Sequence, residues 1–220
     1  MFQSLLDQIQ DQELRDQVAT IIDELPHLID APFLPLEQCP AGAYRHHSYP
    51  GGLVEHVHCV ARIAQTLCDL VEDHYGGEVN RDAVMAGIIL HDLMKCYCYE
   101  ERGDGGFRTS EFGGRVDHLS LMVGVMVSRG FPWELVHIVA SHHGETGPTK
   151  PKSLEALIVA ISDLADSEFN GRILRAAEYL LQGVGVRYKV FRSGGEAVEV
   201  VQTKGRGGWE GLRRLLGEKG

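Results

Sequence analysis

Residues 82–95 (DAVMAGIILHDLMK) are apolar on nearly every side, yet they close with a histidine, an aspartate and a lysine. A helix without a polar face belongs at the centre of a domain. The chain must therefore fold around this segment and supply a counter-charge for Asp92, because an unpaired buried carboxylate is costly or takes up a proton. The rest of the composition allows that: 220 residues, 44% hydrophobic and 24% charged, provide for one ordinary domain with a substantial core and argue against disorder. No apolar run reaches the ~18 residues of a membrane helix, and the start, MFQSLLDQIQDQELRD, lacks a basic region followed by an apolar one. A cytoplasmic protein is expected. Five cysteines (39, 59, 68, 96 and 98) form no paired CxxC knuckles, which excludes a disulfide scaffold and a zinc ribbon and leaves buried thiols.

Helical periodicity runs through most of the chain. Apolar residues from Leu5 to Leu25 recur at helical spacing up to Pro26. Residues 30–52, with four prolines and three glycines, read as an irregular connection ending in a Pro-Gly-Gly turn. A long helix is expected from Leu53 to His74, and others over 117–129, 132–143, 153–168 and 171–182. The five-glycine stretch 99–116 reads as a loop or short hairpin covering the site. Two alternating runs around Gly194-Gly195 give a β-hairpin signal, followed by a short basic helix over 209–216. The expected architecture is all-α, one helical domain over residues 1–183 with a small hairpin and helix appendage over 184–220.

Charge divides at a similar point. Residues 1–171 carry 11 Lys+Arg against 26 Asp+Glu, whereas residues 172–220 carry 10 against 5. The acidic body repels nucleic-acid phosphates and the basic tail is the candidate contact for a short RNA.

The eleven histidines matter through the faces they occupy. His56 lies inside the stripe formed by Leu53, Val57, Val60 and Ala64, while His58 shares a polar face with Arg62 and Gln65. His118 aligns with Met122 and Val125, His142 with Leu135, Ile138 and Val139, and Asp163 with Ala156, Val159 and Ala160. With His91 and Asp92, six ionisable residues from five segments point inward. Two buried aspartates among four histidines require a cation. Adjacent helical residues diverge by about 100°, so His91 and Asp92 can share one metal only at a helix end, where the second carboxylate oxygen is free to bridge to another.

These residues resemble the HD superfamily of metal-dependent phosphohydrolases. The motifs RHHSYPGGLVEHV, ILHDLMK, DHLSL, SHHGE and LEALIVAISDLAD are similar, over residues 40–170, to the HD domain of YhaM-type 3'-to-5' exoribonucleases. The resemblance implies an HD-domain helical bundle in which His56, His91, Asp92 and Asp163 hold one metal and Asp92, His118 and His142 a second. It implies hydrolysis of a mono- or diester of a nucleotide or short nucleic acid by a metal-bound hydroxide. A mixed imidazole and carboxylate set suits Mn, Fe, Co or Ni. Lys95 is expected to meet the substrate phosphate, His143 to line the substrate mouth, and His46 and His47 to line that mouth or bind a third ion; His143 is also the alternative to His142 as ligand. Asp166 reads as a partner of a ligand, and Arg108 and Arg115 as further phosphate contacts. The chain departs from the exonucleases in having helical residues rather than an OB-type domain before the HD segment, and in carrying Met94 where HDxGK has glycine; the first points away from polymeric RNA. The other functions weighed are a 3'-to-5' exoribonuclease, a di-iron oxygenase and a non-catalytic metal-binding module whose basic tail contacts a partner.

Overall fold

The computed structural model describes residues 1–187 and 189–217, and they are mostly helical. The chain runs through α1 (Gln3–Leu6), α2 (Gln12–Glu24), α3 (Gly52–Asp73), α4 (Arg81–Leu90) and α5 (Lys95–Cys98). A two-stranded ribbon follows, β1 (Tyr99–Glu101) and β2 (Phe107–Thr109), and then α6 (His118–Ser128), α7 (Trp133–Ala140), α8 (Leu154–Gln182) and α9 (Gly194–Gly217). The starts are set locally. The side chains of Asp11, Asn80, Asp117 and Ser153 accept hydrogen bonds from backbone N–H groups three residues on, capping α2, α4, α6 and α8.

α4 occupies the centre, as its composition requires. Val84 to Leu90 are all buried, packed on by α1, α2, α3, α7 and α8. At Gly87 the approach of α7 is so close that a β-carbon would lie 2.6 Å from Ile138 Cγ2. Asp82 anchors the N-terminal helices to α4 by accepting from the backbone N–H groups of Gln10 and Asp11. The ribbon is the 99–116 hairpin, antiparallel with Glu100 opposite Arg108.

Two expectations fail. The helices over 153–168 and 171–182 are one 29-residue helix, α8, about 43 Å long. Gly171 does not break it; the carbonyl of Arg45 approaches there, and a β-carbon would sit 2.8 Å from that oxygen. Among the described residues the C-terminal β-hairpin is also absent: Gly194-Gly195 begins α9, and the expected short helix 209–216 is its second arm beyond a kink at Gly208 (φ 62°). A lone two-stranded hairpin is marginal in water. Coiled as a helix, the same segment buries Ala197 and Val200 in a second core with Leu174, Ala177, Leu181, Tyr49 and Phe191. Tyr188 and residues 218–220, part of the expected appendage, lie outside the described residues. Among the described residues no helix is long and apolar enough to cross a membrane.

Candidate metal centre

His56 projects from α3 between Leu53, Val57 and Val60, all fully buried. His91 is the C-cap of α4, Asp92 follows it in the turn, and Lys95 opens α5, so the pair sits at a helix end. His118 is the first residue of α6, His142 follows the end of α7, and Asp163 comes from α8. All six residues meet. His56 Nε2 lies 3.1 Å from Asp163 Oδ1, 3.4 Å from Asp92 Oδ2 and 3.3 Å from His91 Nε2. On the other side of the same carboxylate, Asp92 Oδ1 lies 3.2 Å from His118 Nε2 and 3.7 Å from His142 Nε2.

The hydrogen bonds behind the rings decide what this cluster can hold. His91 Nδ1 donates to the carbonyl of Ile88 and His142 Nδ1 to that of Val139, each at 2.7 Å. His56 Nδ1 donates to Asp166 Oδ2, also at 2.7 Å. Each donation fixes the tautomer and turns a bare Nε2 inward. The interior faces are then acceptors only, and Asp92 Oδ1, His118 Nε2 and His142 Nε2 are buried with no hydrogen-bond partner among the described residues. Acceptors packed this closely draw positive charge. Burial opposes a proton on His56, yet Asp163, Asp166 and Asp92 hold its pKa well above the ordinary imidazole value. Burial likewise opposes charge on Asp92, but Lys95, 2.5 Å away, and His91 hold its carboxyl well below the usual range. His142 is kept neutral by burial. Four atoms suited to one divalent cation (His56, His91, Asp92, Asp163) and a second group (His118, His142, His143) result, with no thiolate in either, a donor set that fits a six-coordinate transition metal.

A pocket of about 250 Å³ has Lys95, His118, His143 and His46 among its lining residues, with Arg45, Tyr99 and Thr109, and among the described residues no aspartate or glutamate lines it. Lys95, only 7% exposed, reaches it from beside Asp92, which keeps the ammonium charged against burial. His143 is among the pocket's lining residues. His47 is not. Its ring bonds Asp166 instead, on a left-handed backbone (φ 42°), and His46 lines the wall, its pKa lowered by burial and then by Lys95 to about 3. Arg108 and Arg115 are also elsewhere, paired at the surface with Glu100 and Glu111.

His47 belongs to a second buried network behind α3. Its Nε2 donates to Asp166 Oδ2 (2.8 Å), its Nδ1 accepts from the Tyr49 hydroxyl (2.7 Å), and its backbone N–H donates to Asn170 Oδ1 (2.7 Å). Asn170 Nδ2 donates to the Tyr49 oxygen (3.2 Å). Burial raises the Asp166 carboxyl, but bonds from His47 and His56 bring it to about 2. Asp166 thus supports His56 from behind, as the sequence implied. Tyr49 and Asn170 were not singled out; the one available sign was a tyrosine beside a Pro-Gly-Gly turn.

Residues 53–167 match the HD domain family. The chain belongs to the HD-domain family. A dihydroneopterin 2',3'-cyclic phosphate phosphodiesterase of Methanocaldococcus jannaschii is 38% identical over 208 residues, covering 93% of this chain and 83% of that one. The 3'-5' exoribonuclease YhaM of Oceanobacillus iheyensis is 34% identical over 148 residues, 61% of this chain and 44% of the relative. YhaM of Listeria monocytogenes is 33% identical over 142 residues, 60% of this chain and 43% of the relative. The chain thus spans less than half of either exoribonuclease but most of the phosphodiesterase. No solved structure matches it. This HD-domain protein is a metal-dependent phosphohydrolase.

Proposed function

We propose that the protein opens a small cyclic phosphodiester of a nucleotide-like compound, a 2',3'-cyclic phosphate, to a phosphomonoester. The observation that carries this reading is a cluster of inward-facing imidazole and carboxylate acceptors beside a compact pocket lined by Lys95 and Arg45 and, among the described residues, by no carboxylate. The relative that shares most of the chain's length bears an activity of this class in its name. His56, His91, Asp92 and Asp163 would hold one divalent cation, and Asp92, His118 and His142 a second. Such cations, when bound, supply an activated water and neutralise charge on the phosphoryl oxygens. The chain's own part is to orient. The carbonyls of Ile88 and Val139 and the carboxylate of Asp166 fix three imidazoles. Lys95, kept protonated by Asp92, faces the phosphate as a fixed positive charge rather than a proton donor, and His143 lines the same wall. Water adds to phosphorus, one P–O bond of the ring breaks, and the freed oxygen takes up a proton.

The test is steady-state turnover by metal-replete protein of 2',3'-cyclic mononucleotides, a single-stranded oligoribonucleotide and bis-p-nitrophenyl phosphate. The expected result is a kcat/KM for the cyclic mononucleotide well above that for the oligonucleotide. Processive shortening of RNA with no opening of the cyclic phosphate would instead favour the exoribonuclease reading.

A further inference from the structure

The pocket is polar at Lys95, His118 and His143 and aromatic at Tyr44. Tyr44 lines it while remaining 77% exposed. Single exposed aromatic residues are ordinary at protein surfaces, but this one is presented by a constrained loop. The backbone N–H of Ala41 donates to the carbonyl of His47 (3.2 Å), and that of His47 donates to Asn170 (2.7 Å). The carbonyl of Arg45 rests against Gly171 in the middle of α8, where only a glycine fits. Ala41, Gly42 and His47 on either side of Tyr44 are buried. The loop is thus anchored on both flanks, and it carries the Tyr44 ring outward at its tip. The Arg45 guanidinium sits 5.8 Å from the centre of that ring, and Tyr99 lines the pocket from the ribbon.

We propose that Tyr44 is the stacking platform for the planar heteroaromatic ring of the substrate, with Arg45 at its side, so that recognition at this site extends from the phosphate to the base. This rests on the phosphodiesterase reading above. A cavity of about 250 Å³ takes the phosphate and pentose-sized portion of a mononucleotide and leaves the ring at the mouth, against Tyr44. Stacking of a base on an aromatic side chain depends on the shared π-face rather than on hydrogen bonds. Tyr44 therefore selects for a flat ring without choosing strictly among such rings.

The test compares 2',3'-cyclic AMP with glycerol 1,2-cyclic phosphate, which has the same five-membered cyclic diester and no heteroaromatic ring, for the wild type, Tyr44→Ala and Tyr44→Phe. The ratio of kcat/KM values for the two substrates should fall about tenfold in Tyr44→Ala, within the range a stacked base contributes, with the change in KM, and should be retained in Tyr44→Phe. A ratio equal to wild type in Tyr44→Ala, or equal losses on both substrates, would overturn the proposal, the second because Tyr44 would then act only by holding the loop. Should the wild type open neither cyclic phosphate, the reaction assigned above fails, and calorimetric binding of 3'-AMP against glycerol 2-phosphate decides the subsite separately. Weaker binding of 3'-AMP alone in Tyr44→Ala supports it; identical binding overturns it.

Discussion

Two clusters of buried polar residues lie on either side of His56 and are built from nearly the same residue types. In front, His56, His91, Asp92 and Asp163 come together; behind, His47, His56 and Asp166 come equally close. Proximity and residue type do not separate them, but hydrogen-bond balance does. In the rear network every acceptor meets a donor, from Tyr49 through His47 to Asp166, with Asn170 closing the circuit. In the front cluster the imidazole donors are spent outward on Ile88, Val139 and Asp166, and apart from the Lys95 ammonium on Asp92 Oδ2 lone pairs face one another. The first arrangement is complete as a protein interior. The second is complete only with positive charge.

The contrast is broken most severely at Asp92. Asp92→Ala removes the carboxylate shared by both halves of the front cluster and leaves Lys95 without its partner. Hydrolysis should drop below detection and bound divalent metal should be lost, read by turnover and by metal analysis after dialysis. Retention of full metal content would mean that the carboxylate does not bridge. Asp166→Ala, in the rear network, should act through His56 instead: metal affinity should weaken by about 10–100-fold, the usual effect of losing the partner that orients a histidine ligand, with some activity recovered at saturating metal. A variant beyond rescue would show Asp166 to be a ligand.

Smaller effects should fall on stability rather than metal content. Tyr49→Phe strips the donor from His47 Nδ1 and the acceptor from Asn170, costing about 1–3 kcal/mol for buried groups left unsatisfied, measured by denaturant unfolding, while the number of bound cations stays at the wild-type value. Acid sensitivity should vanish at neutral pH and grow only as the pH falls. His46 and His47 have folded pKa values below that of an unfolded histidine, chiefly through burial. At acid pH the unfolded chain therefore binds more protons, so their part of the stability is intact above about pH 6.5 and is lost as the pH falls. His46→Asn should flatten the unfolding free energy between about pH 6 and pH 4 by up to ~1.4 kcal/mol per pH unit. A slope equal to wild type would show that His46 takes up a proton when folded.

The front cluster was legible in the sequence because it is written in helical period. His56, His118, His142 and Asp163 each occupy a position that periodicity reserves for apolar residues, and the His91-Asp92 pair closes the one segment with no polar face. The loop carrying His46 and His47 has no period, so nothing in the sequence says which ring faces the pocket; in the structure His46 lines it and His47 bonds Asp166. The C-terminal segment misled for a different reason. Over residues 196–201 the order EAVEVV fits a strand and a helix alike, and the choice was made by tertiary burial of Ala197 and Val200 against α8. Gly171, the expected start of a separate helix, and Gly194, in the expected hairpin turn, are points of close approach, at Arg45 in one case and at Glu55, Asn170 and Tyr49 in the other.

The claim that donor balance, not residue type, marks the metal site is tested most directly by anomalous diffraction from crystals of the full chain soaked in Mn²⁺. Peaks should lie among His56, His91, Asp92 and Asp163, and between Asp92, His118 and His142, with none between His47 and Asp166. A manganese peak in the rear network, or an empty front cluster at saturating metal, would contradict the account.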